Sequence, residues 1–116
     1  VASMPWVVSW QSGRVVDVTY SDSLADGLTG SIPQSLLDLA RVRVDDFVAV
    51  TEDDIARAIA FLHCKHHQIV EGAGAVGVAA LLSGRVSAKG RHVGVVISGG
   101  NIDHDALMGV LEKVIL

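Results

Sequence analysis

The stretch HVGVVISGGNID, from His92 to Asp103, decides the predicted fold. Its apolar, β-branched run from Val93 to Ile97 stops at Ser98 and is followed by two glycines. Such a run is typical of a strand that is buried on both faces. Because ligands of open α/β sheets lie just beyond the carboxyl ends of the strands, Ser98 is the first candidate site residue. A tight turn between a strand and a helix explains SGGN equally well at this point.

The segments that precede this stretch complete an alternating pattern. Two further strands are expected, from Val15 to Tyr20 and from Phe47 to Val50, and helical patterns follow each of them. The order predicts a single α/β domain over residues 1–116, with a mainly parallel twisted sheet and helices on both faces.

The clearest helical signals lie in the second half of the chain. Thr51 and Asp54 have the spacing of a capping box, and the apolar residues that follow predict an amphipathic helix to about His67. The segment GAGAVGVAALLSG is almost wholly small or apolar, which suits a helix that packs closely on the sheet. Glu71 directly precedes it and is conspicuous as the polar neighbour of an apolar helix.

Composition excludes several classes of partner. The net charge is −4, and only 4% of residues are aromatic, so we expect neither nucleic acid nor a membrane as a partner. Cys64 is the single cysteine, which fits a reducing compartment, and we expect the cytoplasm. Because the sequence opens without Met and inside an apparent pattern, we also expect it to be a piece of something longer.

Two motifs invite chemistry that the sequence does not support. His63 and His67 stand four residues apart on one helical face, but a third metal ligand is missing, and we expect no metal site. Gly72, Gly74 and Gly77 spell GxGxxG, yet a dinucleotide site requires this pattern after the first strand, with an acidic residue further on. Close helix packing explains these glycines better.

Three candidate site residues then remain: Gly27 in a long Ser-, Asp- and Gly-rich loop, Glu71, and Ser98. A carboxylate at Glu71 could complement a helix N-terminus or face a ligand. Spacing alone does not separate these alternatives.

Four blocks of the sequence, taken together, resemble a known family. They are LADGL at 24–28, VDDFVAVTEDDI at 44–55, IVEGAGAVGVAALLSG at 69–84 and VVISGGNID at 95–103. They are similar to the C-terminal portion of the pyridoxal-phosphate (PLP) dependent serine/threonine dehydratases, or ammonia-lyases, and of the related serine racemases, which are fold type II PLP enzymes. The resemblance covers nearly the whole chain, in order.

The resemblance implies a cofactor site at Ser98, Gly99, Glu71 and Gly27. Ser98 stands where the family places a hydroxyl beside the pyridine nitrogen of PLP, and Glu71 where it has a carboxylate close to the ring. Gly27 stands where backbone lines the pocket. The implied reaction is β-elimination from a hydroxy-amino acid, which gives a 2-oxo acid and ammonia. The resemblance assigns no catalytic residue to this chain.

The family's Schiff-base lysine, in a Ser-x-Lys pattern, and its glycine-rich phosphate loop lie upstream of the matched region. We assign none of Lys65, Lys89 and Lys113 to that pattern. We therefore expect PLP to bind only where an N-terminal part completes the site. The isolated chain is expected to bind no PLP and to have no activity.

Two interpretations stay open for the chain as a whole. It is either the C-terminal segment of a PLP lyase or a free-standing noncatalytic α/β module derived from one. Its expected partners are the N-terminal part of the same enzyme or a second copy, in a homo-oligomer.

Trp6 and Trp10, four residues apart, are expected to form a core or interface ridge.

Overall fold

A computed structural model describes residues 4–114. Within this range the regular elements are five α-helices and one 3₁₀ turn, which spans Asp26–Leu28. The helices are α1 (Pro5–Ser12), α2 (Gln34–Arg43), α3 (Glu52–His66), α4 (Gly72–Leu82) and α5 (His104–Lys113). No helix in the described range combines the length and the apolar character needed to cross a membrane.

The predicted parallel sheet is wrong. No β-strand forms within residues 4–114, and the three segments expected as strands, 15–20, 47–50 and 93–97, have no regular secondary structure. The run expected to be buried on both faces is open instead, with Val96 84% exposed. A β-branched run favours strand backbone locally, but a strand also needs a neighbour to receive its backbone hydrogen bonds. The described residues provide no such ladder, so the α/β class is replaced by a helical one.

Helix α3 confirms the predicted capping box. The backbone N–H of Thr51 donates to Asp54 Oδ2 over 2.9 Å, and the backbone N–H of Asp54 donates to Thr51 Oγ1 over 3.1 Å. The bond from the Thr51 N–H, together with the Thr51 hydroxyl and the Arg85 guanidinium 3.3 Å away, lowers the pKa of the Asp54 carboxyl below its ordinary value of 3.8. The helix ends at His66, because His67 adopts a left-handed backbone with φ of 55°.

The core lies between α3, α4 and α5. Helix α3 packs mainly against α4 and also against α5, and Ile55 and Ile59 of α3 are fully buried. The buried members of this cluster are Ala25, Val50, Ile55, Ala58, Ile59, Leu62, Val70, Ala75, Ala79, Leu107 and Val110. Small and aliphatic side chains dominate the cluster, as the low aromatic content indicates.

Helix α4 approaches its neighbours through glycine. A Cβ added at Gly72 would overlap the carbonyl group of Leu24, and one at Gly77 would lie 2.8 Å from Val95 Cγ1. At Gly74 the added atom would lie 3.0 Å from the carbonyl oxygen of Gly99. The GxGxxG pattern therefore serves packing against backbone and side chain, as expected from the sequence, although the partner is not a sheet.

The N-terminal part carries an aromatic cluster. Trp6 stacks on Phe47 with ring centroids 5.2 Å apart, and Trp10 packs on the same ring at 5.0 Å. The Arg41 guanidinium lies 5.5 Å from the Trp10 ring centroid and donates to the Trp10 carbonyl oxygen over 3.0 Å. The two tryptophans thus form an internal ridge that joins α1 to the segment before α3.

Candidate functional site

Glu71 and Gly99, two of the residues expected at the cofactor site, are in direct contact. The backbone N–H of Glu71 donates to the carbonyl oxygen of Gly99 over 3.1 Å. A Cβ added at Gly99 would overlap the Glu71 carboxylate, so this carboxylate lies against the Gly99 backbone. Glu71 precedes α4 at its N-cap position, but its side chain makes no capping hydrogen bond to the helix. The carboxylate therefore faces the turn that follows Ser98.

Ser98 and the glycines after it have different roles. Packing requires a glycine at position 100, because a Cβ added at Gly100 would lie 2.5 Å from the carbonyl oxygen of Ile69, whereas one at Gly99 would meet only the end of the Glu71 side chain. The turn alternative thus explains Gly100 without any ligand. Ser98 is exposed, and its hydroxyl makes no hydrogen bond to the described part of the chain. It is one of the polar groups of this turn that are available to an external partner.

Gly27 also lies near the N-terminus of α4. It lies in the 3₁₀ turn that contacts α4, and a Cβ added at Gly27 would lie 3.3 Å from the Cβ of Ala73. The loop before it is held by Glu52 of α3, which accepts hydrogen bonds from the Ser23 hydroxyl at 2.7 Å and the Leu24 backbone N–H at 2.8 Å. The N-terminus of α4 therefore lies between the Gly27 turn on one side and the Gly99 turn on the other.

A cavity of about 290 Å³ opens beside Glu71. Its lining includes polar side chains that sequence reasoning missed, although they lie within or beside the quoted blocks. They are Ser23, Asp26, Asn101 and Asp103. Ser98, Gly99 and Gly27 are not part of this lining, so of the predicted site residues only Glu71 faces the cavity.

The charge of this cavity limits what it can bind. Its charged lining groups are the carboxylates of Asp26, Glu71 and Asp103, and no lysine or arginine lines it. Phosphate recognition relies on cationic side chains and backbone N–H donors. The cavity is therefore unsuited to a phosphate group, and the phosphate of a cofactor would have to be held by other residues.

No lysine of the chain is placed at this site. Lys89 does follow Ser87 at the Ser-x-Lys spacing, which corrects our assignment from sequence, but it lies in an exposed loop after α4. Lys65 is exposed near the end of α3, and Lys113 lines a separate groove between α3 and α5. Within residues 4–114 no three His, Cys, Asp or Glu side chains are arranged to hold a metal ion.

Comparison with known proteins gives the same family as the four sequence blocks. The family model described as "Pyridoxal-phosphate dependent enzyme" matches residues 1–99. Among curated proteins, the chain is 43% identical over 108 residues to the L-threonine ammonia-lyase of Thermotoga maritima, covering 92% of the chain and 27% of that protein. It is 40% identical over 98 residues to the catabolic L-threonine dehydratase TdcB of Escherichia coli, covering 82% of the chain and 30% of that protein.

Solved structures agree with these relatives. Maize serine racemase superposes with a TM-score of 0.80 at 26% identity, over 97% of this chain and 36% of that one. A crystal structure of threonine deaminase from T.th. superposes with a TM-score of 0.78 at 28% identity, over 88% of this chain and 38% of that one. The chain spans about a third or less of the length of the curated relatives it matches. The chain belongs to the pyridoxal-phosphate dependent enzyme family, within the group of threonine dehydratases and serine racemases, as its sequence blocks implied.

Proposed function

We propose that this chain supplies the ring-contacting part of the cofactor site of a PLP-dependent threonine or serine dehydratase. The residues proposed to line the cofactor are Ser98, Gly99, Glu71 and Gly27. The observation that carries the proposal is the contact of the Glu71 carboxylate with the Gly99 backbone. Gly99 directly follows Ser98, whose hydroxyl is exposed and makes no hydrogen bond within the described chain. Curated relatives that match over most of the chain are named for threonine dehydration or ammonia-lyase activity.

The proposed role of Ser98 follows from the chemistry of its hydroxyl. PLP, when bound, withdraws electrons from the amino acid so that the α-proton and the β-hydroxyl can be lost. Ser98 would hydrogen-bond the pyridine nitrogen without holding it protonated, because a neutral hydroxyl is not an ionic partner. A ring without that positive charge is a weaker electron sink, which suits β-elimination over transamination.

Glu71 and Gly27 are proposed as binding positions without a catalytic role. Glu71 is half-buried, its backbone is bonded to Gly99, and its carboxylate lies beside the turn. Gly27 would present backbone to the cofactor from the opposite side of the α4 N-terminus. Neither residue replaces the lysine or the phosphate-binding loop, and we propose that the isolated chain is inactive and binds no PLP.

The proposed partner is therefore the remaining part of the enzyme, or a second copy in a homo-oligomer. The segment from 93 to 97 carries exposed apolar side chains that favour a partner of this kind: Val93 is 46% exposed, Val96 84% and Ile97 41%. Exposed apolar surface of this kind commonly marks an interface. We keep the cytoplasm as the proposed location, on the argument from the single cysteine.

A chimera tests this function. The chain replaces the matched 108 residues of the Thermotoga maritima L-threonine ammonia-lyase, and the product is assayed for 2-oxo acid formation from L-threonine and L-serine and for PLP absorbance. We expect a PLP-bound, active enzyme whose activity falls in Ser98→Ala and is unchanged in Ser87→Ala, a matched serine in an exposed loop. A folded chimera that binds no PLP would refute the proposal and favour the noncatalytic module.

A further inference from the structure

The loop that carries Gly27 has little reason to hold one conformation by itself. Residues 21–31 read SDSLADGLTGS, which is rich in small and turn-forming residues and forms only the 3₁₀ turn Asp26–Leu28. Ordering such a segment costs conformational entropy for each residue that is fixed. Internal hydrogen bonds close the 3₁₀ turn around Gly27, and contacts with the neighbouring helices fix where this turn lies.

Glu52 makes charged contacts of this kind. Its two carboxylate oxygens are used separately: Oε1 accepts from the Ser23 hydroxyl at 2.7 Å, and Oε2 accepts from the Leu24 backbone N–H at 2.8 Å. The Ser23 hydroxyl oxygen in turn accepts the Ala25 backbone N–H at 3.1 Å. Hydrogen bonds to an ionised carboxylate are stronger than neutral ones. The Glu52 carboxylate holds Ser23 and Leu24 directly and Ala25 through the Ser23 hydroxyl, and we call this arrangement the clamp.

Two of the residues that the clamp holds, Leu24 and Ala25, lie beside the N-terminus of α4 or in the core. The carbonyl group of Leu24 lies where a Cβ at Gly72 would be, and Ala25 is fully buried in the core. The 3₁₀ turn follows at once and brings Gly27 to Ala73. A change at Glu52 would therefore move the backbone next to Glu71, although Glu52 itself is not one of the residues proposed to contact the cofactor.

We propose that Glu52 is a positioning residue of the cofactor site, which holds the Ser23–Leu24–Ala25 backbone so that Gly27 is placed against the N-terminus of α4. This inference rests on the proposed function for its importance to the cofactor. The clamp itself can be measured in the chain alone. A simpler alternative is that Glu52 only stabilises α3 as an acidic residue in its first turn.

Asp53 provides the matched control for that alternative. It also lies in the first turn of α3 and carries the same charge, but it is exposed and makes no hydrogen bond to the described residues. Glu52→Gln and Asp53→Asn both remove one negative charge near the helix N-terminus. Only Glu52→Gln removes the charged acceptor of the clamp and places an amide there, so the two variants separate positioning from helix stabilisation.

The first experiment is hydrogen–deuterium exchange of the 116-residue chain. We expect Glu52→Gln to raise exchange of the Leu24 amide by about tenfold, the effect of losing a hydrogen bond to a charged group, while Asp53→Asn leaves this amide unchanged. Ser23→Ala removes the acceptor of the Ala25 amide but leaves the Leu24 amide bonded to Glu52, so it should raise exchange at Ala25 alone, which keeps the test informative if Glu52→Gln folds poorly. Equal exchange of the loop in the Glu52 and Asp53 variants overturns the inference.

The second experiment is the emission spectrum of PLP bound to the chimera. A positioning role predicts a shifted emission maximum and weaker PLP binding in Glu52→Gln, with neither change in Asp53→Asn. Identical spectra and affinities in both variants would show that the clamp does not reach the cofactor and would overturn the inference. If the wild-type chimera binds no PLP at all, the proposed function fails, and the exchange experiment alone decides whether Glu52 positions the loop.

Discussion

Replacing Gly72 by alanine should destabilise the protein, against the usual preference of helices for alanine. Gly72 is the first residue of α4 and is buried. Its new Cβ would overlap the Leu24 carbonyl group and lie 2.9 Å from the Ala25 backbone nitrogen. Backbone cannot rotate away as a side-chain end can, and this backbone is held by Glu52. The loop or the helix must therefore shift.

The magnitude follows from two opposing effects. Overpacking of this kind typically costs about 1–3 kcal/mol. Alanine gains up to about 1 kcal/mol over glycine in a helix interior, and less at the first helical position. The expected net loss in the free energy of unfolding is about 1–2 kcal/mol, which for a chain of this size lowers the melting temperature by about 4–8 °C.

Thermal unfolding followed by circular dichroism in the far ultraviolet measures this change. Gly109→Ala is the control, because Gly109 lies inside α5 and its added Cβ would have nothing within 4 Å. That variant should gain about 0.5–1 kcal/mol and melt about 2–4 °C higher. A Gly72→Ala protein that melts at or above the wild-type temperature, with Gly109→Ala behaving as expected, would refute the packing argument.

Three further outcomes are expected. Asp54→Asn should weaken the dependence of stability on pH in acid. The lowered pKa of Asp54 contributes stability that is fully present above its ordinary value of 3.8 and is lost as the pH falls through the lower value of the folded protein. Urea unfolding between pH 6 and pH 2, roughly the window for a carboxyl, measures this, and identical pH dependence in the two proteins would contradict the prediction. In the chimera, Ser98→Asp should hold the pyridine nitrogen protonated and raise transamination relative to elimination; an unchanged ratio of 2-oxo acid to the pyridoxamine form, with PLP still bound, would show that Ser98 does not contact that nitrogen. The isolated chain should self-associate at roughly tens of micromolar, a working range for weak interfaces, and Val96→Asp should weaken this association; sedimentation of the wild-type chain as a clean monomer would count against an apolar interface at Val96.

Local features of the fold could be predicted from the sequence, and nonlocal ones could not. The capping box of Thr51 and Asp54 was predicted correctly because its hydrogen bonds join residues three apart. The strand expected from 93 to 97 was wrong because strand formation depends on a neighbouring segment, and β-branched composition carries no information about whether one is present.

The candidate site divides in the same way. Glu71 was conspicuous because it is a polar residue before an apolar helix, and the structure shows it against Gly99. The clamp by Glu52 was missed because its partners, Ser23 and Leu24, lie 29 and 28 residues away in the sequence. Gly27 was a candidate because it lies in a long Ser-, Asp- and Gly-rich loop, and only the family resemblance assigned it a place in the lining of the cofactor pocket.

The glycines of α4 also affect how this protein would tolerate random substitution. Leu82 has a large apolar side chain, yet it is 45% exposed, so a polar side chain there would have access to solvent. At Gly72 and Gly74, every other amino acid brings a Cβ into contact with backbone of another segment. In a library selected for folded protein, these two of the three glycines of α4 should therefore be the most depleted of variants along this helix. A screen that ranks positions by hydrophobicity alone would expect Leu82 to tolerate fewer substitutions than Gly72 and Gly74, which is the opposite order.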